Sequence, residues 1–180
     1  MRGLFLGLGL VLSLSVLVTP LDLRAAEQNT VRAVLPWDGA GRVFHIGTDT
    51  MLILAAIEGV IYVETASGEF DQAFAQCPIT QKLAVSTGQT SGSGYCMITQ
   101  SPEDTVFAEL SCEGEVGGCE GVFTVTGGTG RFEGISGSSK MIVRSPLQAL
   151  AREMGSGSEL RVASGIMLLP ALTFTIPDKR

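Results

Sequence analysis

Groups able to do acid–base or nucleophilic chemistry are scarce in this chain. Its one histidine, His45, stands in the run Phe44-His45-Ile46. With no second histidine, a metal or general-base site there needs carboxylates from elsewhere. Glu58 is the stronger acid–base candidate. Ala56, Ile57, Gly59 and Val60 flank it, and burial among such neighbours turns a carboxyl into a proton-exchanging group rather than a solvated charge. Tyr62, two residues further on, falls on the same strand face and has a hydroxyl to offer a ligand beside it. The competing reading puts Glu58 and Glu64 on a polar, solvent-facing strand side. Serines are plentiful, yet no Gly-x-Ser-x-Gly elbow with a downstream histidine exists, which excludes hydrolase chemistry of that kind. Glu113, Glu115 and Glu120 crowd one short segment. The fixed spacing of oxygen ligands that calcium requires is missing, so a solvated acidic turn is expected.

Four cysteines, Cys77, Cys96, Cys112 and Cys119, are present. In an oxidising compartment an even count reads as two disulfides. Cys112 with Cys119 is the expected short bridge, because the intervening Glu113-Gly114-Glu115-Val116-Gly117-Gly118 reads as a hairpin-like loop that brings its ends together. Cys77 with Cys96 is then the second, and the two other pairings stay open. No Cys-x-x-Cys occurs, so neither a zinc site nor a redox role is expected, and no cofactor is implied.

The densest signal is Thr126-Gly127-Gly128-Thr129-Gly130-Arg131-Phe132-Glu133-Gly134-Ile135-Ser136-Gly137, five glycines in twelve residues directly behind the alternating run Val122 to Val125. Such density means backbone that turns through positive φ or passes close to other backbone. Its opening looks like a dinucleotide fingerprint. Counting Gly-x-Gly-x-x-Gly from Gly128, however, puts Glu133 where the third glycine is needed, a carboxylate where a phosphate would lie. The chain beyond Gly137 is too short for the remaining βαβ units of such a domain, and the Gly-Lys-Ser or Gly-Lys-Thr of a P-loop is missing. A structural turn between antiparallel strands, built on Gly127, Gly128, Gly130, Gly134 and Gly137, is the expectation.

The same stretch resembles the Gly-Gly-Thr-Gly-[Arg/Lys]-Phe-x-Gly-x-x-Gly signature of the allene oxide cyclase-like barrels, a group that also takes in the dirigent proteins. The similarity extends more weakly to Gly92-Ser93-Gly94-Tyr95-Cys96 and to a closing strand from Gly165 to Pro177, so it covers most of the chain from about Val43 onward. The resemblance implies a small antiparallel barrel of about eight strands with an apolar lumen, often oligomeric. It implies no single activity, because the group includes plant cyclases, dirigent proteins that steer radical coupling, and bacterial secreted members without known activity. Outside the glycine motif the family's catalytic residues find no residue-by-residue match, and function must come from the site.

The elements that would position these groups read as strands. From Met51 to Glu64 the odd positions Met51, Ile53, Ala55, Ile57, Gly59, Ile61 and Val63 are wholly apolar, while the even side mixes Leu52, Leu54 and Val60 with Glu58, Tyr62 and Glu64. A bend is expected at Gly59. Val106, Ala108, Leu110 and Cys112 alternate in the same way, as do Leu172, Phe174 and Ile176, and the two sides of a barrel wall account for the pattern. One helix is expected: Ser145 as N-cap, Pro146 at its first position, Leu147, Leu150, Ala151 and Met154 along one stripe, and Gly155 beyond its end. It would cap a barrel mouth, making Leu147, Leu150 and Met154 ligand-facing, or pack on the outer wall.

Arg2 precedes an uncharged apolar run from Leu4 to Val18, the length of a signal-peptide core and short for a membrane span. Thr19-Pro20 breaks it, and Ala25-Ala26 offers small residues for cleavage. The organisation expected is a signal peptide over residues 1–26, a loose lead-in over 27–42 and one barrel domain over 43–180, in a periplasmic or secreted protein with no stable membrane insertion once the signal is removed. Its formal net charge of −6 argues against nucleic acid as a partner, because the twelve basic residues are scattered rather than clustered. Two function classes follow: a non-enzymatic exported barrel that holds a small apolar ligand or acts as an interaction module, homo-oligomers included, and a cyclase or isomerase in which a shaped lumen constrains a reactive substrate and Glu58 supplies a charge or proton.

Overall fold

The computed structural model describes residues 28–65, 68, 70–146 and 159–177. Their strands follow in the order β1 (Gln28–His45), β2 (Thr50–Glu64), β3 (Phe70–Ala84), β4 (Gln89–Thr99), β5 (Thr105–Glu115), β6 (Gly118–Gly128), β7 (Ser136–Arg144) and β8 (Glu159–Thr175), with one 3₁₀ turn at Gly130–Phe132. Each strand pairs antiparallel with the next, and β8 returns to pair with β1, closing an eight-stranded barrel. Closure removes every exposed sheet edge, which a single open sheet of this size would have to protect by other means.

The alternation read in β2 is that of the wall. Ile53, Ile57 and Ile61 are buried inside, while Leu54, Glu58, Val60 and Tyr62 face out. In β5, Ala108 and Leu110 are likewise buried in the lumen between exposed Phe107, Glu109 and Ser111. The middle of the barrel is filled rather than hollow: Phe123 from β6, Met141 from β7, Met167 and Leu169 from β8 and Cys77 from β3 have almost no exposure and interlock in one cluster. A barrel of eight strands has an interior just wide enough for side chains to fill. At Gly59, where a bend was expected, a Cβ would collide with the Pro36 carbonyl oxygen of β1, so the glycine lets the two strands approach closely.

Both expected disulfides are formed. Cys77–Cys96 ties β3 to β4 inside the lumen, and Cys112–Cys119 ties β5 to β6 near the hairpin at one end of the barrel. Two corrections concern boundaries. Residues 28–42 are not a loose lead-in but most of β1, the strand that closes the barrel through 13 paired positions with β8. The barrel domain therefore takes in residues 28–42 as well as those from Val43 onward. The proposed signal peptide, and the helix with Leu147, Leu150 and Met154, fall outside the described residues. Ser145, expected as that helix's N-cap, donates its hydroxyl proton to the Ser164 carbonyl of β8 at 2.6 Å.

Candidate functional site

The packed middle leaves a cavity at each end of the lumen. Antiparallel order sends the β1–β2, β3–β4, β5–β6 and β7–β8 connections to one end, and the chain start, the β2–β3 and β4–β5 connections and the glycine turn to the other. The cavity under the glycine turn has a volume of about 160 Å³ and a floor of Ile61, Phe123, Val125, Ile135 and Phe174, with Asp71, Gln72, Gln100 and Arg131 contributing polar groups around it. The opposite cavity, of about 100 Å³, is lined by Trp37, Ile53, Ile57, Met141, Val143 and Met167 among others, with no ionisable side chain among the described residues of its wall. Both walls are mainly apolar because they are the inward-facing residues of alternating strands, interrupted where glycines replace side chains.

The glycine turn itself is a clasp made of protein–protein hydrogen bonds. Thr129 Oγ1 donates to the Glu103 carbonyl at 2.7 Å and accepts from Thr105 N–H at 3.1 Å, while Arg131 N–H donates to Asp104 Oδ1 at 2.9 Å. The Asp104 carboxylate takes the place beside the turn that an anion would need, and Arg131 lies 4.0 Å from it while stacking over Phe132 at 4.7 Å. Gly130 and Gly134 have φ of +57° and +77°, and a side chain at Gly130 would run into Asp104. These are positions only glycine occupies without strain. Gly128 and Gly137 are hemmed in by Phe132 and by Thr173 and Phe174, whereas Gly127 has open space around it.

Glu58 and Tyr62 lie on the outer wall, the solvent-facing alternative of the two readings of this strand, and not in the lumen where an acid–base role would need them. Glu58 is exposed and accepts a 2.6 Å hydrogen bond from Gln76 Nε2 of β3; Tyr62 is 36% exposed. The physical reason is parity. Even positions of β2 point away from the core, so apolar sequence neighbours at 57 and 59 lie on the opposite side of the sheet and do not bury Glu58. His45 is exposed at the end of β1. Glu113, Glu115 and Glu120 are all exposed, and Glu120 is held by Lys140 at 2.7 Å and Arg144 at 3.0 Å. The Lys140 and Arg144 hydrogen bonds hold the Glu120 carboxyl below its ordinary value. Among the described residues no group of three or more His, Cys, Asp or Glu is placed to hold a metal ion, and no helix is long and apolar enough to cross a membrane.

Trp37 was not picked out from the sequence. It is the chain's one tryptophan, it lines the 100 Å³ cavity, and its Nε1 is, among the described residues, the one buried side-chain nitrogen or oxygen without a hydrogen-bond partner. A buried indole normally finds an acceptor, and leaving such a donor unmet costs about 1–3 kcal/mol. The available signal was Ala33, Leu35, Trp37 and Gly39 at alternate positions, all inward in β1. Pro36 and the glycines at 39 and 41 disguised that period.

Comparison with family models, with curated proteins and with solved structures returns no match. The fold and its contents define the class: a closed eight-stranded antiparallel barrel, stapled by two disulfides, with a packed middle and an apolar cavity at each end.

Proposed function

We propose that the protein is an exported, non-enzymatic barrel that holds a small apolar molecule at an end of its lumen. The observation that carries this reading is the pair of apolar end cavities on either side of a solid core. Each is concave and built into a rigid scaffold, the usual character of a small-molecule site. Export is supported by two disulfides among four cysteines and by the apolar run near the N-terminus. An apolar lumen inside a wall that displays Asp38, Glu58, Glu109, Glu120 and Lys140 is the reverse of a membrane barrel, which turns its apolar side to lipid. With Glu58 on that wall, the cyclase alternative loses the one residue nominated for its chemistry. The test is native, non-reducing mass spectrometry of protein from the exported fraction. A processed chain lacking four hydrogens and carrying an apolar adduct supports the reading; four free thiols or an intact N-terminus overturns export. Failure of a panel of small apolar probes to bind overturns the ligand.

A second reading rests on a separate observation. Val60, Phe74, Met97 and Phe107 are 36–49% exposed on the outside of β2 to β5. Val60 pairs with Phe74 and Met97 with Phe107 across the sheet, and the two pairs meet diagonally, since Phe74 pairs with Thr99 and Met97 with Gln76, so the four form one slanting stripe. A second copy of this chain is the occupant we propose for it, because an uncharged stripe is complementary to itself while the rest of this acidic surface repels its like. Sedimentation decides: a dimer or larger species that Phe74→Ser with Met97→Ser converts to monomer supports association, and a monomer at tens of micromolar from the outset rejects it.

A further inference from the structure

We propose that the cavity beside Trp37 selects a compact, uncharged apolar molecule bearing one hydrogen-bond acceptor, a ketone, ether or ester oxygen, to which the Trp37 indole N–H donates. The proposal rests on the reading of the barrel as a carrier of small apolar molecules and names the chemistry one of its two cavities would accept.

Three features of the cavity point to this ligand. The first is charge: among the described residues its wall contains no Asp, Glu, Lys, Arg or His, so none of them repays the desolvation of an ion. The second is size. A dry apolar cavity of about 150 Å³ admits benzene, so a volume of about 100 Å³ suits roughly four to six heavy atoms and excludes long-chain lipids. The third is the orphan donor. Other polar side chains of the wall are engaged within the protein: Gln81 Nε2 donates to Thr90 Oγ1 at 2.6 Å, Ser145 Oγ donates to the Ser164 carbonyl at 2.6 Å, and the Thr80 and Ser93 hydroxyls lie 3.3 Å apart. Trp37 Nε1 is left with none.

The indole lies between β8 and the cavity. Trp37 pairs with Gly165 of β8 and Gly59 of β2, and a Cβ at Gly165 would stand 2.5 Å from the indole Cζ2 and 2.8 Å from Cε2. Glycine at that position is what leaves room for the ring against β8, inside the wall rather than outside it. The nitrogen is covered on all sides in the structure, so an acceptor in the cavity reaches it only when the ring turns toward the cavity. An apolar molecule without an acceptor fills the same space but leaves the donor unmet. Discrimination between the two is therefore the signature of the site, and one hydrogen bond in such surroundings is worth about three- to tenfold in affinity.

Because the chain has one tryptophan, the indole ¹H–¹⁵N resonance reports on this side chain alone. The experiment titrates the full-length, disulfide-intact protein with cyclopentanone and, separately, with cyclopentane. The expected result is that cyclopentanone binds about three- to tenfold more tightly and moves the indole N–H resonance downfield, while cyclopentane binds without that shift. Calorimetry on Trp37→Phe, which keeps an aromatic ring and removes the donor, should show the two probes binding alike. If both bind the unmodified protein equally and the indole resonance does not move downfield, the acceptor specificity is wrong while the apolar-carrier reading survives. If neither perturbs residues of this cavity, its role in binding falls altogether. The two-probe comparison on the unmodified chain decides the matter even if Trp37→Phe does not fold.

Discussion

Removing the two disulfides one at a time should reveal their unequal loops. The perturbations are the double substitutions Cys112→Ala with Cys119→Ala and Cys77→Ala with Cys96→Ala. The short bridge spans 7 residues of sequence and the long one 19. Chain-entropy accounting then assigns about 2.4 kcal/mol to the short bridge and about 3.2 kcal/mol to the long one, each acting by restricting the unfolded chain. Packing widens the gap in the same direction, since Cys77 and Cys96 are 0% and 2% exposed whereas Cys112 is only partly buried. For a urea slope of about 1.5 kcal/mol per molar, the midpoints should fall by about 1.6 M and by at least about 2 M. Equilibrium urea unfolding followed by far-ultraviolet circular dichroism, under non-reducing conditions, measures both. A short-bridge variant that loses as much stability as the long-bridge variant, or more, would refute the loop-length reasoning.

Three further outcomes are expected. Within the glycine turn, Gly134→Ala should lower stability by about 1–3 kcal/mol because φ there is +77° and Pro177 lies 3.0 Å from the new Cβ, whereas Gly127→Ala, with open space and no positive φ, should be near neutral; thermal melts of the two variants compare them directly. Phe123→Ala removes a ring that is 1% exposed at the centre of the barrel and should cost about 3–5 kcal/mol, read from the same denaturant curves. Glu120, held down by Lys140 and Arg144, should titrate by NMR below the ordinary glutamate range, and Lys140→Ala should move it back toward that range. Because its folded value is depressed, its small stabilising contribution is present above the ordinary carboxylate range and lost as pH falls through the folded value.

Glu58 and Trp37 show where reasoning from the chain alone met its limit. Glu58 sits among apolar sequence neighbours that suggest a buried acid, yet its parity in β2 puts it on the mixed even side, opposite the wholly apolar odd side that the barrel encloses. Trp37 failed in the opposite way. Its alternating companions Ala33 and Leu35 marked an inward strand face, but Pro36, Gly39 and Gly41 reduced the intrinsic strand preference of the segment. What overrides that weakness is pairing on both sides, with β2 and with β8.

By itself the sequence determined the class of wall and its staples. Period-two alternation required sheets with one apolar side, the glycine run required a turn, and the spacing of the cysteines around a hairpin-like loop pointed to the pairs that form. Those are local properties, written in neighbours a few residues apart. Only the tertiary structure decided that β1 closes on β8 and that the lumen is plugged by Phe123, Met141 and Met167. It also decided that an indole nitrogen ends beside a cavity without a partner. Those depend on residues as far apart as Gln28 and Thr175 meeting at one depth in the barrel, a match set by strand register and closure, which no local pattern encodes.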